Sequence, residues 1–152
     1  MNDDAMRHGA FSWFELMTTD VDGAKKFYGQ LFGWETESFP MGDMDYTVLK
    51  VDGKGVGGMM SLPAGCEGMP PSWDLYVTVK DVDATAAGAS LIHEKCVPNY
   101  VTVKDVDATA AAVAALGGEV LRPPMDIPGV GRFCVIRDPQ GAVICAITYA
   151  ED

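Results

Sequence analysis

The polar residues best suited to chemistry lie on two short apolar stretches. Glu15 stands between Trp13 and Met17 at alternate positions of FSWFELMT, and Asp74 and Tyr76 alternate in SWDLYV. Alternate residues of a β-strand point to the same side, so each stretch would present these groups on one face. We predict that Glu15 is the catalytic candidate, as a general base or a hydrogen-bond acceptor, and that the other four residues bind a ligand. Alternatively, Glu15 bonds a neighbouring hydroxyl or backbone group and does no chemistry.

Three further residues are candidates for contact with a ligand. Met60 would join Trp13 and Met17 in a surface suited to a flat apolar molecule, or these side chains belong to the core. Arg132 follows GVG and precedes a strand, where it could close the mouth of a cavity or be solvated. Cys145 lies in an apolar strand, where a thiol is usually inert, and no histidine is placed to activate it as a nucleophile.

The first stretch continues into a helix. Residues 11–19 alternate as a strand, and Asp20 follows as an N-cap whose carboxylate can accept the free N–H groups of the first turn. From Val21 to Phe32, apolar residues recur at spacings of three and four, which is typical of an amphipathic helix. Gly33 would end that helix.

The same plan of strand, DVD turn and helix occurs twice more, as WDLYVTVKDVDATAA and as YVTVKDVDATAA. Residues 76–87 are identical to residues 100–111, so a unit of about 24 residues is present twice. Two identical strands compete for one place in a sheet. Either the chain loops out the residues between them, one copy docks as an extra strand and helix, or domains swap between chains. We expect the second copy to be native and the first helix, Asp83 to Glu94, to be peripheral.

The chain divides into two predicted modules of the order βαβββ. The predicted bounds are a tail (1–10), the first module (11–62), a linker (63–71) and a second module (72–150) that includes the extra unit. Later elements are strands at 35–39, 46–51 and 55–62, a helix at 108–116, a strand from 119 to 122, a loop PPMDIPGVG, and strands at 132–137 and 142–149. Glycines at 55, 57 and 58 predict a bulge or a close approach in the third of these strands.

Composition excludes several classes of partner. The chain carries 22 acidic and 11 basic residues, a net charge of −11, which disfavours nucleic acid and anionic membranes. No stretch approaches the 18 or so apolar residues of a membrane helix, and the N-terminus has no signal-peptide core. The four cysteines show no CxxC spacing and fit reduced thiols. We therefore expect a cytoplasmic protein.

Three segments in this order resemble the vicinal oxygen chelate superfamily: TTDVDGAKKFYGQLFGW, GMPPSW and ALGGEVLRPPMDIPGVGRFCVIRDPQGAVI. That superfamily includes glyoxalase I, bleomycin-resistance proteins and extradiol dioxygenases, and the chain is most similar to its small bacterial glyoxalase-like members. The resemblance implies an α+β fold of paired βαβββ modules that form a curled mixed sheet around a cavity. The duplicated strand–helix unit would be inserted in the second module. The resemblance also implies a homodimer.

The resemblance also implies where a divalent metal would be bound. The four ligand positions fall at Trp13, within Gly57–Met60, at Asp74, and at Cys145 in DPQGAVIC. Only Asp74 and Cys145 could bind a metal, and these two do not make a site for a hard cation. We therefore predict no metal cofactor, with a divalent metal as the alternative.

These observations predict a domain that binds a small organic molecule in a metal-free cavity, for sequestration or sensing. The alternative is an enzyme. It would be a lyase or dioxygenase with an atypical metal site at Asp74 and Glu15, or a metal-free isomerase that uses Glu15 as its base. In a third interpretation, the duplication has destroyed the site and only the fold survives.

Overall fold

The computed structural model of the protein describes residues 3–42, 44–66, 68–81 and 99–150. The first helix of the duplicated unit, predicted from Asp83 to Glu94, lies outside these ranges. Within them a short 3-10 helix, Asp3–Met6, is followed by nine strands and two α-helices. They are β1 Phe11–Thr18, α1 Val21–Phe32, β2 Glu35–Met41, β3 Met44–Val51, β4 Lys54–Ser61, β5 Ser72–Val77, β6 Tyr100–Thr102, α2 Val106–Ala115, β7 Glu119–Ile127, β8 Gly131–Arg137 and β9 Val143–Tyr149.

The strands form two mixed sheets. Sheet one has the order β2-β3-β4-β1-β5, with β1 parallel to β4 and antiparallel to β5. Sheet two has the order β6-β9-β8-β7, with β6 parallel to β9. The predicted α+β class with mixed sheets is confirmed, and the strands are divided between these two sheets.

Both copies of the duplicated strand are paired, each in a different sheet. In the first copy Tyr76 stands opposite Trp13 of β1, and in the second copy Tyr100 stands opposite Cys145 of β9. The expected competition for one place is therefore absent in the described residues. The first copy, β5, is an edge strand of sheet one, and the second copy, β6, is an edge strand of sheet two. The two sheets are therefore separate.

Both α-helices begin at an aspartate of the repeated DVD turn. The carboxylate of Asp20 accepts the N–H of Gly23, and that of Asp105 accepts the N–H of Ala108. Helix α1 ends at Gly33, whose φ of 71° is in the left-handed region that glycine tolerates. The predicted cap at Asp20 and the predicted end of α1 at Gly33 are confirmed.

One predicted boundary is wrong. The segment PPMDI, predicted as the start of a loop, continues strand β7 to Ile127. Strand β7 is at the edge of sheet two, where a proline without an N–H group is tolerated. The pairing with β8 shifts register between Arg122 and Met125, around the two prolines.

The helices and one face of each sheet enclose a single core. Buried side chains of β1 and α1, such as Leu16 and Phe27, belong to the same cluster as Val113 of α2 and Ile144 of β9. No α-helix in the described ranges covers the opposite face of sheet one, which we call the open face. No helix in those ranges is long and apolar enough to span a membrane.

A buried polar link joins sheet one to sheet two. The hydroxyl of Tyr28 in α1 donates to Oδ2 of Asp138 at 3.0 Å, and the indole N–H of Trp73 donates to the Tyr28 oxygen at 2.9 Å. The other Asp138 oxygen accepts the backbone N–H groups of Gln140, Gly141 and Ala142, in and just after the DPQG turn. Burial raises the pKa of Asp138, and burial followed by the charge of Asp138 raises the pKa of Tyr28.

Removal of the Tyr28 hydroxyl is expected to destabilise the fold. Tyr28→Phe leaves Asp138 without its side-chain donor and Trp73 without its acceptor, a loss of about 1–3 kcal/mol in the free energy of unfolding. Tyr149→Phe, at an exposed tyrosine, is the control and should change this free energy little. Urea denaturation measures both. Equal stability of the two variants would contradict this role of Tyr28.

Candidate functional site

Strand β1 directs Glu15 to the open face. The intervening residues Leu16 and Thr18 are fully buried on the side of α1, so Trp13, Glu15 and Met17 lie on the other side. Strand β1 is internal to sheet one, between β4 and β5. The side chain of Glu15 is 7% exposed despite the absence of a described α-helix over it.

Both carboxylate oxygens of Glu15 accept a tyrosine hydroxyl. Tyr46 of β3 donates to Oε1 at 2.8 Å, and Tyr76 of β5 donates to Oε2 at 2.5 Å. The indole N–H of Trp13 in turn donates to the Tyr46 oxygen at 2.6 Å. Three strands therefore position this carboxylate: β1 carries it, β3 supplies the hydroxyl of Tyr46, and β5 supplies the hydroxyl of Tyr76.

The glycines of β4 make this arrangement sterically feasible. Gly58 stands directly opposite Glu15 across the β1–β4 pair. A Cβ atom at Gly58 would overlap the Tyr46 hydroxyl, so only glycine leaves room for the ring that crosses β4. Pairing between β3 and β4 also shifts register after Leu49. The predicted close approach and bulge are both confirmed.

The electrostatics of the cluster keep both hydroxyls protonated at neutral pH. The hydrogen bond to Glu15, followed by burial, raises the pKa of Tyr76 to about 12. Burial is the main cause that raises the pKa of Tyr46 to about 12. The Trp13 hydrogen bond opposes this rise, and the bond to Glu15 adds to it. Burial, followed in part by the charge of Glu15, raises the pKa of Asp74. Tyr46 and Tyr76 are therefore stable donors.

Most of the ligand-binding candidates surround Glu15. Asp74 is the direct partner of Glu15 across the β1–β5 pair, and Met17 is the partner of Met60 across the β1–β4 pair. Both methionines are half-buried on the open face. Trp13, Met17, Met60, Asp74 and Tyr76 thus lie on one face with Glu15, and their role in binding stays a prediction.

Two candidates lie elsewhere. Cys145 is fully buried in β9 of sheet two, beside Tyr100 and Phe133, and lines a separate cavity of about 380 Å³. Arg132 lies in β8 and forms ion pairs with Asp107 of α2 at 2.7 Å and with Asp126 of β7 at 2.9 Å. The guanidinium therefore joins α2 to the edge of sheet two, and the structure does not bring it to Glu15.

Sequence reasoning missed Tyr46, which is central to the cluster. The sequence predicts a strand at Tyr46 but indicates no role for its hydroxyl, because its partner Glu15 is 31 residues away. Two signals could have found it: the hydroxyl on a strand that flanks β4, and the paired glycines of β4, which leave room for a large ring.

The residues present do not fit the metal site that the resemblance implies. Of the four expected positions, Trp13 and the Gly57–Met60 segment offer no oxygen or nitrogen ligand, and Cys145 lies in the other sheet. Across the described ranges, no three or more histidine, cysteine, aspartate or glutamate residues gather where they could hold a metal ion. Asp74 alone remains from the expected set, and one carboxylate does not satisfy a hard cation.

With this geometry in place, comparison with known proteins gives the family. Residues 10–146 match the Glyoxalase/Bleomycin resistance protein/Dioxygenase superfamily. The chain belongs to this superfamily. CFP32 of Mycobacterium bovis, which is named as a glyoxylase, is 36% identical over 141 residues, which cover 91% of this chain and 45% of CFP32. The anthracycline biosynthesis protein DnrV of Streptomyces peucetius is 32% identical over 147 residues, which cover 88% of this chain and 45% of DnrV.

Solved structures with low sequence identity share the fold of this chain. A member from Sphaerobacter thermophilus aligns with a TM-score of 0.61 at 17% identity, over 90% of this chain and 94% of that one. TnmS3, an antibiotic binding protein from Streptomyces sp. CB03234, aligns with a TM-score of 0.58 at 18% identity, over 95% and 99%. The chain spans about half the length of the curated relatives it matches.

Substitution of Gly58 tests the steric basis of the cluster. Gly58→Ala places a methyl group on the Tyr46 hydroxyl and should break its bond to Glu15, which costs about 1–3 kcal/mol in the free energy of unfolding. Gly68→Ala is the matched control, because a Cβ there meets open space. Urea denaturation compares the two. If Gly58→Ala is as stable as Gly68→Ala, the ring does not depend on that glycine.

The tyrosines report the charge of Glu15 directly. Ultraviolet titration of tyrosinate should show Tyr46 and Tyr76 ionising near pH 12, and Glu15→Gln should move both toward the ordinary value of 10.0. Because folding raises both pKa values, their contribution to stability is present below pH 10 and is lost as the pH rises toward 12. Glu119→Gln, at an exposed glutamate of sheet two, should leave the titration unchanged. Superimposable curves for Glu15→Gln and wild type would refute the coupling.

Proposed function

We propose that the chain binds a small organic molecule on the open face of sheet one and needs no metal to do so. The observation that carries this proposal is the buried carboxylate of Glu15, whose two oxygens are held by the hydroxyls of Tyr46 and Tyr76. A charged group is costly to bury unless it is hydrogen-bonded. The two tyrosine hydroxyls offset this cost, and we infer that the carboxylate they hold recognises polar groups of a ligand.

The cluster has capacity left for a ligand. A carboxylate offers about four lone-pair positions, and the two tyrosines occupy two of them at Glu15. Tyr76 is 46% exposed, so a molecule on the open face can contact this residue. Asp74, opposite Glu15, adds a second acceptor. Hydroxyl or N–H groups of a ligand would therefore be recognised here.

The surroundings favour a flat and largely apolar body for this ligand. Trp13 supplies an indole whose N–H is already used by Tyr46, and Met17 and Met60 supply adaptable thioethers next to one another. Aromatic and methionine surfaces suit planar molecules. Hydroxylated aromatic compounds are thus the proposed ligand class, and sequestration or sensing is the proposed role.

Two comparisons support this class without deciding it. TnmS3 is an antibiotic binding protein with the same fold, and DnrV is an anthracycline biosynthesis protein related in sequence. We further propose that the chain forms a homodimer, as the resemblance to the superfamily implies.

A metal-dependent lyase or dioxygenase is the second candidate. The observation in its favour is the direct opposition of Glu15 and Asp74, whose charges repel and raise the pKa of Asp74 in addition to burial. Such a pair favours a shared proton or a cation. A maize glyoxalase I structure, at 18% identity and a TM-score of 0.59, also has this fold. Tight, stoichiometric binding of Mn²⁺ or Ni²⁺ by calorimetry would favour this candidate.

A ligand screen tests the proposed function. Planar hydroxylated aromatics are titrated by fluorescence in the presence of a chelator, and at least one should bind saturably. Glu15→Gln should weaken binding by about tenfold or more, since a hydrogen bond to a charged group contributes about 1.5–3 kcal/mol. Tyr76→Phe should weaken binding by a smaller factor.

Glu119→Gln is the control for charge and should bind the ligand like wild type. Equal binding by Glu15→Gln and wild type would contradict the assignment of the site. Binding that disappears in the chelator and returns with a divalent ion would instead support the second candidate.

A further inference from the structure

A cavity larger than the one beside Cys145 lies on the face of sheet one opposite the open face. It has a volume of about 680 Å³ and is lined by Phe14 of β1, Phe32 and Trp34 at the end of α1, and Val56 of β4. Residues 99–105, of which 100–105 belong to the second copy of the duplicated strand, form another part of its wall, and Ala108 of α2 also lines it. Phe14 points away from Glu15 on β1, so this cavity is distinct from the open face.

The duplicated strands use opposite edges for pairing. In the first copy, Thr78 donates its N–H to the carbonyl of Ala10 at 2.9 Å and accepts the N–H of Gly9 at 2.8 Å, next to β1. In the second copy, the carbonyl of Asn99 accepts the N–H of Cys145 at 2.8 Å, next to β9. Successive residues of a strand direct their backbone groups to opposite edges.

The two sets of hydrogen bonds are complementary. Val103 donates its N–H to Ile147 at 2.8 Å, and its equivalent in the first copy is Val79, next to Thr78. One strand of this sequence could therefore pair with β1 along one edge and with β9 along the other. The duplication divides these pairings between two strands, and the second strand forms a wall of the cavity.

We propose that this duplication creates the cavity and that the cavity binds a planar aromatic anion. The volume is that of a site for a drug-sized molecule. Phe14 is 40% exposed and Val56 is 39% exposed, so two apolar side chains in the wall have surface left to cover. Trp34, which stacks on Tyr28 at 5.5 Å, gives the wall a fixed aromatic surface.

A lysine in the cavity wall supplies the proposed contact for an anion. Lys104 lines the cavity and is exposed, in a chain whose net charge of −11 makes a cation at a cavity notable. Asp105 also lines the cavity, and its carboxylate is directed to the start of α2, where it accepts the N–H of Ala108 at 3.0 Å. The ammonium group of Lys104 is the cation proposed to pair with an anionic group on the ligand.

Anilinonaphthalene sulfonate, a planar aromatic anion, is the probe for the test. Wild type should bind one molecule per chain with a saturable rise in fluorescence. Ala108→Phe fills the cavity from α2 and should weaken binding by about tenfold or more. Ala114→Phe, at an exposed position of α2 that does not line the cavity, is the matched control and should bind like wild type.

The lysine has a control within the duplication itself. Lys104→Met should weaken binding several-fold, whereas Lys80→Met, the same position of the first copy, should not. Glu15→Gln should leave the probe affinity unchanged, which separates this site from the open face. Loss of probe binding in Glu15→Gln but not in Ala108→Phe would overturn the proposal. Absence of saturable probe binding to wild type, as expected if a second copy of the chain fills the cavity, would also overturn it.

Deletion of residues 77–100 tests the origin of the cavity. It joins Tyr76 to Val101 and leaves one copy of the strand, which should pair with both β1 and β9. The variant should fold cooperatively and lose probe binding. A folded deletion variant that still binds the probe, or one that does not fold, would overturn the origin proposed for the cavity.

Discussion

The hydroxyl of Tyr28 is a buried polar contact that joins the two sheets, together with the hydrogen bond from Asn99 to the carbonyl of Trp73. Because each copy of the duplicated strand is an edge strand, no backbone pairing in the described ranges connects sheet one with sheet two. Tyr28 accepts from Trp73 of sheet one and donates to Asp138, which follows β8 of sheet two, in the same buried region. Asp138 also holds the DPQG turn through three N–H groups, so the turn and the helix that face each other are fixed together.

The two faces of sheet one differ in what they contact. The helix side carries the core, and the open face carries Glu15. The carboxylate is held because β1 is internal, with Tyr46 reaching it across the glycines of β4 and Tyr76 from β5. The same features exclude the metal ligands that the resemblance implies, since Trp13 and Gly58 occupy places where those ligands would stand.

Local patterns predicted much of the fold because their signals lie close together in the chain. The caps at Asp20 and Gly33 follow from neighbouring residues, and the face shared by Trp13, Glu15 and Met17 follows from alternation along one strand. Contacts between residues that are far apart in the chain are harder to predict from the sequence. The Tyr46–Glu15 bond, the Arg132 ion pairs and the division into two sheets all depend on which strands become neighbours, and strand PPMDI depends on its place at a sheet edge.

A crystal structure with a hydroxylated aromatic ligand bound tests the central claim most directly. The account predicts that the ligand lies on the open face, with a hydroxyl or N–H group donating to the carboxylate of Glu15 and its ring against Trp13. Tyr46 and Tyr76 should keep their bonds to Glu15 in the complex. A ligand elsewhere on the protein, or a divalent ion between Glu15 and Asp74 that holds the ligand, would contradict the claim.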